Sequence, residues 1–250
     1  MENDIIAIVM AAGKGTRMKS KNSKLVQKIY GKEIVKRAVE NAQKAGVRDI
    51  VAVVGYKKEE VMKVLGDNIK YAYQDEMLGT GHAVMQAKEY LKGKKGKVLV
   101  LNGDVPLIRP ETLNKLIEKS IENKEYATLL TAIYDDPTGY GRIVRDEGGN
   151  IEGIVEEKDT TPEQKKIKEI NAGIYCFDIE ALLKALEKVT PNNKQGEYYI
   201  TDVIQIMNDS GLKTGAVLVE DNTEILGIND RIQLGILTKV LQMRINTELM

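Results

Sequence analysis

The chain has 250 residues, in which 37 Lys plus Arg balance 37 Asp plus Glu, so the net charge is zero at pH 7. No global field exists to hold nucleic acid or an anionic membrane, and with no Trp, one Phe and scattered tyrosines there is little with which to stack single-stranded bases. The lone cysteine, Cys176, excludes an intrachain disulfide and a Cys-based zinc site, no apolar run approaches the ~18 residues of a membrane span, and no cleavage signal follows the acidic start Met1-Glu2-Asn3-Asp4, so a soluble cytoplasmic protein is expected.

The apolar run at 5–10 predicts a short buried strand. It leads into Met10-Ala11-Ala12-Gly13-Lys14-Gly15-Thr16-Arg17-Met18. In an open parallel α/β sheet, ligands bind just beyond the carboxyl ends of the strands. Ala11, Ala12, Gly13 and Gly15 leave room for a ligand against the backbone, and successive N–H groups in such a loop form an anion-binding concavity. Lys14 and Arg17 add positive charge. The loop therefore fits a polyphosphate. It is neither of the two commonest phosphate loops: the third glycine of G-x-G-x-x-G is missing, and no Gly-Lys pair precedes Ser or Thr. A bare strand-to-helix turn is the plain alternative for Gly13-Lys14-Gly15 alone.

Further strands are predicted at 49–54, 69–73, 98–102 and 127–134, alternating with helices at 34–45, 58–65, 82–91 and 110–123. Gly46 would stop the first helix and Pro110 would start the last. This alternation predicts an α/β fold: a Rossmann-like, mostly parallel sheet with helices on both faces. The stretch at 92–97 reads as a solvated basic turn. After Asp135 the pattern changes. Short alternating runs at 142–145 and 151–156 flank a Gly148-Gly149-Asn150 hairpin turn. A strand at 170–177 and helices at 179–189 and 201–209 follow. This second half predicts a smaller β lobe folded onto the same sheet. The chain divides as a main domain at 1–229 and a C-terminal helix at 230–250, whose stripe Ile232, Ile236, Val240 and Leu241 is expected to dock on it.

Asp104 closes the apolar strand Val98-Leu99-Val100-Leu101-Asn102-Gly103 and falls on the same sheet edge as the Gly13 loop. A hard oxygen ligand there suits Mg²⁺, which takes one or two carboxylates plus substrate phosphates. Alone, Asp104 could equally cap the turn before Pro106; beside a phosphate loop, the metal reading is preferred. Cys176 lies in a predicted strand and reads as core. His82, the only histidine, reads as the start of a helix rather than a catalyst.

The Met10–Met18 string resembles the signature of sugar-phosphate nucleotidyltransferases. Further strings narrow it: Gln74, Gly79-Thr80-Gly81-His82, Asp136-Pro137-Thr138-Gly139-Tyr140-Gly141-Arg142, Val155-Glu156-Glu157-Lys158-Asp159, Glu169-Ile170-Asn171-Ala172-Gly173, Gly196-Glu197-Tyr198-Tyr199-Ile200-Thr201-Asp202 and Gly227-Ile228-Asn229-Asp230-Arg231. In this order, over nearly the whole chain, they resemble the N-acetylglucosamine-1-phosphate uridyltransferase domain of the bacterial bifunctional uridyltransferase/acetyltransferase. The resemblance implies a nucleotide-diphospho-sugar transferase fold. It also implies Mg²⁺-dependent uridylyl transfer from UTP to N-acetylglucosamine 1-phosphate, a step of cell-wall precursor synthesis. Ala11, Ala12, Gly13, Lys14, Gln74, Gly79, Thr80 and Gly103 would bind the nucleotide. Arg17, Lys24 and Asp104 would be catalytic, and Asp104 with Asn229 would hold Mg²⁺. Gly141, Glu156, Asn171, Tyr199 and Thr201 would hold the sugar.

Residue chemistry suits these roles. Gln74 can pair with a uracil edge, and Glu156 can accept from sugar hydroxyls. A sugar 1-phosphate is already an anionic nucleophile, so no protein base is required. Ser23, Asn102 and Ala172 depart from the usual family pattern without removing an expected charge or ligand. The family's hexapeptide-repeat β-helix has no counterpart here, so acetyl transfer is not expected, and a monomer or weak associate is. Two alternatives stay open: another sugar 1-phosphate or nucleotide, such as glucose 1-phosphate with UTP or dTTP, and a non-catalytic nucleotide-sugar sensor.

Overall fold

A computed structural model describes residues 5–250; the acidic start at 1–4, and its reading as no signal segment, lie outside the described residues. The first half builds β1 (Ile6–Ala11), the small hairpin β2 (Lys28–Ile29) and β3 (Lys32–Glu33), then α1 (Ile34–Lys44), β4 (Asp49–Val54), α2 (Lys58–Leu65), β5 (Lys70–Tyr73), α3 (Thr80–Gln86), α4 (Lys88–Leu91), β6 (Lys97–Asn102) and α5 (Pro110–Glu122). The second half adds β7 (Ala127–Ile133), β8 (Arg142–Arg145), β9 (Ile151–Val155), β10 (Glu169–Asp178), α6 (Ile179–Leu186), α7 (Asp202–Asp209), β11 (Thr214–Leu218) and α8 (Arg231–Leu249).

One sheet runs β11-β7-β10-β6-β1-β4-β5. Every pairing along it is parallel except those of β10, which lies antiparallel to both β6 and β7. The central strands are near-continuous apolar runs because both sheet faces are covered. Alternation along β1 divides the core. Ala7, Val9 and Ala11 face the side packed by α1, α2, α5 and α8. Ile6 and Ile8 face the side packed by α3, α4, α6 and α7. The expected mostly parallel sheet with helices on both faces is therefore present. Only the β8–β9 hairpin branches off it, through a pairing of β8 with β10.

Local chemistry sets most boundaries. Gly46 at φ 88° takes the left-handed conformation after α1, and Pro110 sits in the first turn of α5. Gly149 at φ 80° turns the β8–β9 hairpin, whose Asp146 N–H donates to Asn150 O. The helix expected at 82–91 begins earlier, at Thr80, and breaks into α3 and α4 at Ala87. The β2–β3 hairpin and β11 were not expected. Both are short or mixed in composition, and β11 is an edge strand whose pattern is weak.

The C-terminal helix forms, but its docking stripe differs from the expected one. Leu234, Leu237, Val240 and Leu241 pack against the core, while Ile232 and Ile236 point outward, 75% and 53% exposed. Apolar residues occupy both faces of this helix, so a 3.6-residue period could be drawn along either. Among the described residues no helix is long and apolar enough to cross a membrane.

Candidate active site

The β1 and β6 registers pair Met10 with Asn102, so the loops leaving both strands emerge side by side. Strand order reverses here: β4 and β5 extend one way from β1, and β6 lies on the other side. This is the crevice position for ligands in open α/β sheets. Gly103 N–H donates to Met10 O at 2.9 Å and stitches the two loop origins together.

Lys24 enters this crevice from a short 3₁₀ turn, Lys24–Val26, capped by the Ser23 hydroxyl. The Ser23 N–H donates to Glu60 Oε2 at 2.8 Å, a bond that a proline at this position could not make. Gly15, at φ 58°, lies under the Lys24 stem; a Cβ there would stand 2.7 Å from Lys24 carbons. The Lys24 ammonium bridges Asp104 Oδ2 at 2.5 Å and Asn229 Oδ1 at 3.0 Å. Ile228 N–H donates to Asp104 O, which brings the segment bearing Asn229 to the strand end. Two hard oxygens, one from the end of β6 and one from the segment before α8, thus converge on one cation.

Beside them a cleft of about 270 Å³ is lined by Ala12, Gly13, Lys24, Gln74, Gly79, Thr80 and Asp104, together with Met10, Met77, Asn102 and Glu197 among others. Gln74 Nε2 donates to Gly79 O at 3.0 Å and lies 3.1 Å from His82 Nδ1. His82 sits within α3 and is held on its far side by Gln86. His82 thus stands between Gln74 and Gln86. Gly79 and Gly81 pack against the Tyr198–Tyr199 backbone, which a Cβ on either would strike. Gly81 N–H donates to Tyr198 O, and Thr80 Oγ1 accepts from Ile200 N–H. These contacts join the Gln74 side of the cleft to the second patch.

That patch gathers Gly141, Glu156, Asn171, Tyr199 and Thr201. Thr201 Oγ1 donates to Glu156 Oε1 at 3.1 Å, and Gly141 O accepts from Asn171 N–H. Gly173, at φ 71°, forms a bulge where the β10–β7 register shifts between Asn171 and Tyr175. The bulge lets Asn171 accept from Gly173 N–H while donating to the Tyr175 hydroxyl at 2.6 Å. Burial pushes the Glu156 carboxyl above its ordinary value, and Asp202, Asp159 and Glu197 add like charge against the Thr201 hydrogen bond. Burial, with Asp159, raises Asp202 to about 6.

A folded-state value above the unfolded one means that ionising Asp202 opposes folding. The penalty is absent below about pH 4 and complete above about pH 6. Asp202→Asn is therefore expected to raise the urea midpoint at pH 7.5 and to leave it unchanged near pH 4. Equal midpoints of both proteins at pH 7.5 would show that the carboxylate carries no such cost.

The remaining expected residues fall as follows. Ala11 is buried in the core, so its side chain does not line the cleft. The Gly103 N–H is consumed by Met10 O and is not free for a ligand. Lys14 and Arg17 lie exposed on the loop, with no side-chain hydrogen bond or ion pair among the described residues. Tyr199 is 5% exposed, and its hydroxyl accepts from Gln195. Cys176 is buried in β10 and its thiol is pushed up to about 11 by burial, which makes it an inert core residue as expected. Met77 and Glu197 also line the cleft; Glu197 belongs to the Gly196–Asp202 motif, whereas nothing in the sequence marks Met77. Asn102 lines it too, and donates to Gly173 O at 3.4 Å across to the bulge.

The sequence profile of the family described as "Nucleotidyl transferase" matches residues 6–224. The chain is 52% identical over 243 residues to the bifunctional protein GlmU of Caldanaerobacter subterraneus, covering 97% of this chain and 53% of that protein. It is 49% identical to the bifunctional protein GlmU of Acetivibrio thermocellus, covering 96% and 52%. It thus spans about half the length of the curated relatives it matches. A crystal structure described as a putative glucose-1-phosphate thymidylyltransferase from Bacillus anthracis, in complex with a sucrose, shares the fold with a TM-score of 0.76. Its sequence identity is 20%, and the match covers 94% of each chain. On the match of fold and sequence together, this chain belongs to the nucleotidyl transferase family.

Proposed function

We propose that the cleft performs Mg²⁺-dependent uridylyl transfer from UTP to N-acetylglucosamine 1-phosphate, giving UDP-N-acetylglucosamine and pyrophosphate. The observation that carries this reading is the convergence of Asp104 Oδ2 and Asn229 Oδ1 on one cation, the Lys24 ammonium, at the strand ends. The high identity to proteins named GlmU supports the choice of substrates.

The donor pair fits Mg²⁺. It consists of hard oxygens only, it already surrounds a positive charge, and it leaves most of a coordination shell to phosphate and water. When bound, the ion would supply charge neutralisation to the phosphates. Lys24 then exchanges its two protein oxygens for phosphate oxygens. Lys14 and Arg17 have no partner among the described residues to give up. They meet the leaving pyrophosphate, where charge grows most as the bond breaks. The sugar phosphate attacks as an anion, so the protein's work is in-line positioning. Gly141, Glu156, Asn171, Tyr199 and Thr201, in the adjoining patch, would hold the sugar. Glu156, in its crowded acidic surroundings, accepts from sugar hydroxyls. Asn171 has an amide hydrogen to spare beyond the one given to Tyr175.

Base choice rests on Gln74. Its amide nitrogen is engaged by Gly79 O and faces His82, which leaves its carbonyl oxygen to the ligand. Uracil offers an N3–H to that oxygen, whereas cytosine offers a lone pair. A site whose buried polar group is left unpaired rejects strongly. The expected kcat/KM for UTP exceeds that for CTP by at least about a hundredfold. Comparable values for the two nucleotides would remove Gln74 from this role.

A further inference from the structure

The loop bearing Arg17 is weakly self-supporting. Thr16–Met18 form a single 3₁₀ turn flanked by two left-handed residues, Gly15 at φ 58° and Lys19 at φ 47°. Two backbone bonds close it, Met18 N to Gly15 O and Lys19 N to Thr16 O. Met18 anchors it to the core at 2% exposure. Among the described residues one side chain bonds to this turn from outside: Arg231, whose Nε donates to Met18 O at 3.3 Å and whose Nη2 donates to Lys19 O at 3.1 Å. A planar guanidinium forks to two neighbouring carbonyls through donors held in one rigid plane, which fixes their relative position.

Arg231 opens α8, and the same turn of helix holds the other side of the site. Asp230 Oδ1 accepts from Gln233 N–H at 2.8 Å, and Gln233 Oε1 accepts from Asn229 N–H at 2.7 Å. This reciprocal capping fixes the backbone of Asn229. Asn229 is in turn next to Ile228, whose N–H is tied to Asp104 O at 3.0 Å. One helical turn therefore grips the Arg17 turn with one residue and the Asp104–Asn229 pair with another.

We infer that Arg231 is a positioning residue for the transfer reaction: it holds the Arg17 turn in fixed relation to the Asp104–Asn229 pair, so that the Arg17 guanidinium and that pair address the same phosphates. The inference rests on the proposed uridylyl transfer. It predicts that Arg231 acts through Arg17 and not through folding or sugar binding.

A double-mutant cycle of Arg17→Ala and Arg231→Ala tests it, with amide hydrogen exchange as a second readout. Arg231→Ala should lower kcat about tenfold or more, as expected of a misplaced charge, while the KM for the sugar phosphate stays within about twofold. In the Arg17→Ala background, itself slower than the parent, the same change should cost less than about twofold. Exchange of the Met18 and Lys19 amides should be faster in Arg231→Ala, with the global unfolding midpoint unmoved. If Arg17→Ala lowers kcat and Arg231→Ala costs the same in both backgrounds, the positioning role is wrong and the proposed reaction stands. If the parent protein catalyses no uridylyl transfer, the proposed reaction falls; unchanged exchange at Met18 and Lys19 would then dismiss the tether as well.

Discussion

Asp104→Ala is expected to lower kcat by two to three orders of magnitude, about 3–4 kcal/mol of transition-state stabilisation. The carboxylate is the one full negative charge in the donor pair around the Lys24 ammonium; Asn229 contributes only a dipole. Without it, the ammonium keeps the neutral amide alone, and on the proposed reading a divalent cation would lose its principal protein ligand. The fold should survive. The Asp104 side chain is partly exposed, and the contact that organises the 228–229 segment is made by its backbone carbonyl, which the substitution retains. Turnover at saturating Mg²⁺, with circular dichroism to confirm the fold, checks this. Near-parental turnover would mean that phosphate charge is neutralised elsewhere.

Arg142→Ala is expected to be the most destabilising single change near the site, at about 3 kcal/mol. Arg142 is 1% exposed. One nitrogen donates to Tyr140 O and another to Glu157 Oε2 at 2.7 Å, while Nε has no partner among the described residues. Glu157 also accepts from Gly139 N–H at 3.2 Å. Arg142 thus braces the loop that carries Gly141 against the β8–β9 hairpin. Its removal opens a cavity the size of its side chain and leaves the Tyr140 carbonyl without its donor. Chemical denaturation should show the loss, and the KM for the sugar phosphate should rise because Gly141 is no longer held opposite Glu156. A loss under about 1 kcal/mol would show that Glu157 and the loop settle elsewhere at little cost.

Legibility of the sequence followed physical period and locality. The strands that cross the middle of the sheet are long apolar runs, and their ends at Val54 and Asn102 are where the pattern stops. Glycine and proline marked α1 and α5 for the same reason: each leaves a backbone requirement visible in one residue. The stripe of α8 is half legible: Val240 and Leu241 pack as expected, but Ile232 and Ile236, four apart, fit a helical period as well as Leu234 and Leu237, three apart, and only the tertiary partner decides between them. At the site, the motif strings identified residues that the fold brings into two adjoining patches, although they are as far apart in the chain as Lys24 and Asn229. What spacing could not reveal were contacts made by side chains of ordinary type. The Ser23–Glu60 bond, the His82 grip on Gln74 and the Arg231 fork to the Thr16–Met18 turn each depend on a neighbour more than five residues away or on a backbone carbonyl. Gly103 was expected to meet the nucleotide, yet its N–H is spent on closing the gap between β1 and β6.

The cleft is proposed to join a uridylyl group to N-acetylglucosamine 1-phosphate. Phosphorus NMR of the purified protein with Mg²⁺, against a matrix of UTP, dTTP and CTP with N-acetylglucosamine 1-phosphate and glucose 1-phosphate, tests it most directly. Diphosphate-sugar and pyrophosphate signals should grow fastest for UTP with N-acetylglucosamine 1-phosphate. Faster growth for glucose 1-phosphate or dTTP would reassign the substrates, and nucleotide binding with no product in any combination would contradict catalysis itself.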